Sequence, residues 1–421
     1  MSLLDMLGAG SAGKNDVPNA DFVAFVSDET NTATMRQYVA QRALPHAEVQ
    51  CGAIDQAIAH LRLMERMPQQ LVVDVSGSDT PLSELSRLAE VCAPSVDVYV
   101  LGSKNDVGLY RSLLQIGVRD YMVKPLTVEL LTRTLGVGTV GHDEPVQRSR
   151  TGKVITLMGA RGGLGVSSVC AHLAQYLAEE KQRRVALVDL DVYSGAISVL
   201  LGESTNQGLV DVLQNVQRLD PQYMDRTMIK HGSRLYILTA ELGFADSLNV
   251  ESGALAQLIE ILKRHFHYVL IDAPRHGAGI AMLTEEALDQ SQLVYLLADQ
   301  TVHSACVVTR LAQHIFIRQN EPVVSVLLNH VAPQAPAHIS REDFAKSTQR
   351  AVHFELPYDP AALTLAQNLG ERLKAISPFA KAVARIGDDL SGTATAEKKS
   401  PGKPSGSLLR DLAQRIQKVL H

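Results

Sequence analysis

Cysteine is scarce in this chain and never clustered. Its four residues, Cys51, Cys92, Cys170 and Cys306, lie far apart, with no CxxC pair and no Cys/His spacing suited to zinc. That pattern argues against a disulfide framework and points to reduced thiols in a cytosolic protein. A basic excess is also missing: net charge is −5 over 421 residues, so the overall balance gives no reason to expect nucleic acid. No apolar run reaches about 18 residues, which leaves no candidate for a spanning helix. Met1-Ser2-Leu3-Leu4-Asp5 has neither a basic stretch nor a long apolar core, so no secretory leader is expected. What remains is ordinary globular material, 46% hydrophobic and 20% charged, long enough for two or three domains.

No internal repeat is evident. Residues 1–20 read as a flexible lead-in, rich in Gly, Ser, Ala and Asn from residue 8 onward. From 21 to 136, compact apolar runs at 22–26, 71–75 and 96–101 alternate with amphipathic stretches near 33–44, 53–66 and 82–92. This predicts buried parallel strands with helical crossovers. A polar segment with Gly and Pro, 137–152, predicts a linker. A second, longer α/β series fills 153–388, with strands expected at 154–158, 185–189, 235–238, 268–272, 293–297 and 323–328. So many strands with crossovers predict one doubly wound, mostly parallel sheet. The segment 389–407 is expected to be disordered, and 408–421 to form an amphipathic helix.

One further absence concerns chemistry. Val154-Ile155-Thr156-Leu157-Met158 leads into Ala160-Arg161-Gly162-Gly163-Leu164-Gly165-Val166-Ser167-Ser168, and a helical pattern follows. Strand, glycine-rich turn and helix N-terminus together offer backbone N–H groups to a phosphate. A P-loop places lysine just before its Ser/Thr, but here that residue is Val166. Losing one charge-assisted bond costs roughly 10- to 150-fold in affinity or rate. The sequence therefore predicts nucleotide binding without fast hydrolysis. Two further strands end in acids: Val185 to Asp189, followed by Leu190-Asp191, and Tyr268 to Asp272, followed by Ala273-Pro274. Acids at strand ends beside a phosphate loop suit Mg²⁺, held directly or through water, and an attacking water. A dinucleotide site is the competing reading. Gly163-Leu164-Gly165 supplies GxG and Asp189 lies at about the ribose distance, but Ser168 replaces the third glycine and Asp272 is left unexplained.

Loop and acidic strands resemble the deviant Walker A ATPases of the MinD/ParA group. The resemblance implies ATP or ADP with Mg²⁺ as cofactor, bound by Arg161, Gly162, Gly163, Leu164, Gly165, Val166, Ser167 and Ser168. Arg161 falls on the lysine that reaches across a dimer, and Val166 on the missing P-loop lysine. Ser167 falls on the Mg²⁺-binding hydroxyl, and Ser168 on one that contacts phosphate. Asp191 falls on the acid that orients water, with Asp189 beside it, and Asp272 on the Walker B acid; all three and Ser167 are the metal candidates. Asn329, in Val326-Leu327-Leu328-Asn329-His330, resembles the asparagine that reads adenine.

In the first domain, Leu71-Val72-Val73-Asp74 and Tyr121-Met122-Val123-Lys124-Pro125 resemble a response-regulator receiver. Asp74 would be the phosphoacceptor, facing Asp28 and Lys124. One acid of the usual pair is Ser27, although Glu29 follows Asp28. Gly102 stands where a Ser/Thr is expected, with Ser103 one step on. The favoured reading is a pseudo-receiver used for docking or dimerisation.

At the end of the chain, Leu408, Leu409, Leu412, Ile416, Val419 and Leu420 share one helical arc opposite Arg410, Arg415 and Lys418. Such a helix suits a reversible membrane-surface anchor or a docking contact with protein, and both stay open. A receiver-like domain followed by a MinD/ParA domain without the P-loop lysine resembles the CpaE/TadZ family of Flp (Tad) pilus assembly. Leu356-Pro357-Tyr358-Asp359 and Ala366-Gln367-Asn368-Leu369-Gly370 add to the likeness. The resemblance implies a homodimeric hub, cytoplasmic, peripheral at the inner membrane and polar, whose partners are a secretion ATPase and an inner-membrane platform. The alternative is a working ATPase switch for septum placement or DNA partition.

Overall fold

The computed structural model describes residues 20–44, 46–64, 67–135, 151–218, 221–243, 245–275, 280–333 and 338–392. The expected lead-in up to residue 19, the linker up to 150, the tail from 393 and the segment 408–421 lie outside the described residues. The chain divides into two units, Met1–Ser149 and Arg150–His421. No helix among the described residues is long and apolar enough to cross a membrane.

In the first unit, β1 (Phe22–Val26) is buried along its whole length. Val23 and Phe25 enter one core with Leu71, Val73 and Leu85, whereas Phe22, Ala24 and Val26 enter another with Met35, Tyr38 and Val72. Successive strand side chains point to opposite faces, so a strand covered on both sides is apolar throughout. With β2 (Ala47–Cys51), β3 (Gln70–Asp74), β4 (Asp97–Gly102) and β5 (Asp120–Val123) it forms a parallel sheet ordered β2-β1-β3-β4-β5. That is the flavodoxin-like order of receiver folds. Helices Glu29–Arg42, Ile54–Leu63, Pro81–Val91, Val107–Gln115 and Val128–Leu135 make the crossovers and close the unit. Asp28 starts the first helix, its Oδ1 accepting from the Asn31 amide at 2.8 Å.

The second unit has an eight-stranded sheet. Its strands are β6 (Lys153–Gly159), β7 (Val185–Asp189), β8 (Ile229–His231), β9 (Leu235–Leu238), β10 (Tyr268–Asp272), β11 (Leu293–Ala298), β12 (Val323–Asn329) and β13 (Val352–Leu356). Their order is β13-β12-β11-β6-β10-β7-β9-β8, and only β8 runs antiparallel to its neighbour. The chain leaves β6 toward β7 on one side and later adds β11 on the other. The carboxyl end of β6 is therefore a switch point, where doubly wound sheets bind ligands.

Two boundaries differ from expectation. The linker was expected to run to 152, but a Cβ on Gly152 would lie 2.0 Å from the Phe266 carbonyl oxygen, and its amide donates to Lys263 O at 2.7 Å. Gly152 is thus part of the second unit's packing. Disorder was expected from 389, but the last helix runs Pro378–Ser391. Tyr176 Oη donates to Asp388 Oδ1 at 2.7 Å, and Lys153 and Tyr268 both donate to Leu390 O. Polar composition misled there, because the apolar stripe ending in Leu390 carries the helix onward. Elsewhere in this unit, Gly202 and Gly370 meet backbone to backbone: a Cβ on Gly370 would lie 2.4 Å from Gly202 Cα.

Candidate nucleotide site and the Asp74 cluster

β6 ends at Gly159, where a Cβ would lie 2.8 Å from Arg161 O, so the chain can turn back over itself there. Gly163 and Gly165 have φ of +74° and +72°, the left-handed region that glycine occupies without penalty. Gly165 is also the N-cap of helix Val166–Glu179 and has no side chain to accept from the first turn. A Cβ on Gly162 would meet nothing within 4 Å. An open bend thus delivers the chain to a helix N-terminus without an internal cap, an arrangement suited to an anion.

Arg161 lies against its own chain. Its Nε and Nη2 donate to Asp299 Oδ2 at 3.0 and 2.6 Å, and Nη1 donates to Gly162 O at 2.9 Å. Asp299 follows β11 and also accepts from Thr301 at 2.8 Å and from Ser304. Burial pushes its carboxyl up, but Ser304, Arg161 and Thr301 outweigh that and hold it below the usual range. Asn329, at the end of β12, is buried and donates Nδ2 to Leu164 O at 2.7 Å. Its amide braces the loop at Leu164.

Register places Asp189 of β7 beside Asp272 of β10. Both are buried. Burial pushes Asp272 up to about 6, against a hydrogen bond from the Ser167 side chain. Burial and the Asp272 charge also push Asp189 up. Asp189 accepts from the Asp191 amide at 3.0 Å and the Ile197 amide at 3.3 Å. Asp191 instead caps its own turn, its carboxylate accepting from the Tyr193 amide and from the amide and hydroxyl of Ser194. Two adjacent buried carboxyls beside a serine hydroxyl fit Mg²⁺, whose charge would offset their repulsion. Among the described residues, no group of three or more His, Cys, Asp or Glu could hold a metal alone. Phosphate oxygens and water would have to complete the shell. Arg275, absent from the sequence reading, donates Nη1 to Ala160 O at the root of the loop.

The first unit brings Asp74, Asp28 and Lys124 together. Asp74 Oδ2 accepts from the Ser27 amide (2.8 Å) and hydroxyl (2.6 Å) and pairs with Lys124; Oδ1 accepts from the Ser76 amide (2.9 Å) and hydroxyl (2.6 Å). Lys124 also reaches Asp28 at 2.6 Å and Ser27 Oγ at 3.0 Å. Burial pushes Asp74 up, but Lys124, Ser27 and Ser76 outweigh it and leave the carboxyl below its ordinary value. The hydroxyl expected near Gly102 has no room, since a Cβ there would lie 2.2 Å from Tyr121 Oη.

Comparisons with known proteins bear mainly on the second unit. A septum site-determining protein MinD of Helicobacter pylori is 29% identical over 36% of this chain and 54% of its own length. An uncharacterized ATP-binding protein of Methanocaldococcus jannaschii is also 29% identical, over 30% of this chain and 46% of its own. The chain spans about half the length of these curated relatives. A ParA family ATPase from Chlorobium tepidum shares the fold, with a TM-score of 0.52 at 19% identity, covering 57% of this chain and 98% of that one. A family model described as ParA, NUBPL iron-transfer P-loop NTPase, matches residues 150–382, more than half of the sequence. With the loop, the helix N-terminus and the paired acids in place, the chain belongs to the ParA family of P-loop NTPases.

Proposed function

We propose that this protein is a nucleotide-bound hub of Flp/Tad pilus assembly, binding ATP or ADP with Mg²⁺ and hydrolysing it slowly or not at all. The observation that carries this reading is an open glycine loop whose lysine position is aliphatic. Val166 is half-buried against the core, with Cγ2 3.0 Å from where a Cβ on Gly159 would sit. Loop amides and Mg²⁺ at Ser167, Asp189 and Asp272 would hold the polyphosphate, while the charge that speeds transfer is missing at Val166. Mg²⁺, when bound, would neutralise phosphate charge; Ser167, Asp189 and Asp272 would orient its water shell.

Nucleotide would act through self-association, a shared ligand stabilising a homodimer by its differential affinity. The first unit serves as a docking module, its Asp74 held by hydrogen bonds instead of a transferred phosphoryl group. Its partners on this reading are a secretion ATPase and a membrane platform at the cytoplasmic face of the inner membrane, with 408–421 as a candidate surface anchor.

A second reading, a cycling ATPase switch for septum placement or DNA partition, is favoured by the intact Ser167, Asp189 and Asp272 set. Mass spectrometry of ligand released from the denatured protein, paired with a phosphate-release assay, separates the two. Retained adenine nucleotide with negligible phosphate release is the expected result. Sustained turnover that vanishes in Asp191→Ala would favour the switch. No retained nucleotide, together with no shift in melting on adding Mg-ATP, would remove both. Surface pili that persist after deletion of the protein would remove the pilus role alone.

A further inference from the structure

We propose that Gly195 is a positioning residue for the Mg²⁺ of the nucleotide site, an assignment that rests on the nucleotide reading above. Having no side chain, it leaves the space in which the Asp189 carboxylate is clamped. The clamp is the turn that follows β7. The Leu190 amide donates to Asp272 O at 3.0 Å and the Leu242 amide to Val192 O at 2.8 Å, so the start of the turn is pinned to β10 and to the chain beyond β9. The turn then doubles back over the strand end. The Asp191 amide donates to Asp189 Oδ1 at 3.0 Å and the Ile197 amide to Oδ2 at 3.3 Å, one main-chain donor for each oxygen. Residue 195 lies against the same carboxylate: a Cβ there would stand 2.5 Å from Oδ2, 3.0 Å from Cγ and 2.5 Å from Asp191 O. Its φ is not positive, so space, and not backbone conformation, requires glycine here.

The clamped group is one of two buried carboxyls that register sets side by side. Like charges so placed repel, and an unheld side chain would swing away. Amide donors on both oxygens oppose that movement and keep Asp189 next to Asp272, to which the Ser167 hydroxyl also bonds. Asp191 is engaged differently. Its carboxylate accepts from the Tyr193 amide at 3.3 Å, the Ser194 amide at 3.0 Å and the Ser194 hydroxyl at 3.0 Å, all within the turn. The two acids of Asp189-Leu190-Asp191 thus have separate duties: the first belongs to the acid pair, and the second stiffens the turn that holds it. Groups that orient a metal-binding side chain without touching the metal change its affinity by roughly 10- to 100-fold. Gly195 acts at that remove from Mg²⁺.

Isothermal titration of the full chain with ATP, once in Mg²⁺ and once in EDTA, tests the assignment. The wild type is expected to bind more tightly in Mg²⁺. Gly195→Ala should cut that gain roughly 10-fold or more and leave the affinity in EDTA as it was. A glycine needed for packing alone would move both affinities alike, or neither. Asp189→Asn adds no bulk and should lose the same gain. An undiminished gain in Gly195→Ala, or equal losses in Mg²⁺ and EDTA, would overturn the assignment and leave nucleotide binding standing. A wild type that binds ATP equally well in both conditions would do the same. A wild type that binds no ATP in either would overturn both. Where Gly195→Ala fails to fold, Asp189→Asn decides: a retained gain overturns the assignment, and a lost gain with unchanged affinity in EDTA supports it.

Discussion

Asp74→Ala is expected to lose about 3–5 kcal/mol of stability in the first unit, the scale on which removing one partner of a buried ion pair acts. The Asp74 side chain is 0% exposed and that of Lys124 10%. Its removal strands the Ser27 and Ser76 donors and leaves Lys124 with Asp28 as its carboxylate partner, beside the Ser27 hydroxyl. The same groups set an acid limit. The Asp28 carboxyl is held at about 2; burial pushes it up, and bonds from Lys124 and Asn31 more than reverse that. Asp74 is likewise below the ordinary value of 3.8. Folded-state values below the unfolded ones mean that the unfolded chain takes up protons first as pH falls. The stabilisation is therefore complete above about pH 4 and drains away toward about pH 2. Hydrogen exchange at β1 and β3 of the full chain, followed across that range, checks both statements. Native-like protection in Asp74→Ala, or an equally steep acid decline, would contradict them.

Gly165→Val is expected to reduce Mg-ATP affinity on the order of 100-fold. A β-branched residue at φ +72° costs about 1–3 kcal/mol in backbone strain. Its Cβ would lie 3.0 Å from Asn329 Nδ2. The bond from Asn329 to Leu164 O would be lost with it, about 1 kcal/mol more. The free loop of the variant escapes these costs by leaving the bend, and binding must restore it, so about 3 kcal/mol, or roughly two factors of ten, is lost from affinity. Gly162→Ala is the control for folding, since its φ is not positive and its Cβ meets nothing; ligand-free melting should not move. Titration and melting of the two variants side by side provide the check. Undiminished binding in Gly165→Val would mean that the bend is not the phosphate cradle.

Much of this architecture could be read from residue order because the central strands are apolar throughout. β1, β3, β6, β7, β10, β11 and β12 sit between helices, and their runs stand out against any neighbour. The strands left unnamed lie at or beside the sheet edges. β2, with Glu48 and Gln50, is half-exposed along its length, β13 carries Glu355, and β8 is only three residues long. One exposed face removes the continuous hydrophobic signal that marks a strand. The loop was visible through its glycines, and the acids through their position at strand ends. Arg161 and Asn329 were identified as site residues, but their contacts with Asp299 and Leu164 were not foreseen. Those contacts join segments more than a hundred residues apart, which no local pattern encodes.

The meeting of Gly202 and Gly370 has a mechanical consequence. With no side chain between them, the end of helix Ile197–Leu200 and the end of helix Pro360–Leu369 abut backbone to backbone, and a side chain at either glycine would wedge them apart. The amide of Ile197 donates to Asp189 at 3.3 Å, which ties the first of these helices to one of the paired acids. The second helix carries Leu365 and Leu369, which are 52% and 56% exposed. A wedge at the glycine contact would therefore shift this oily surface against a helix bonded to the site.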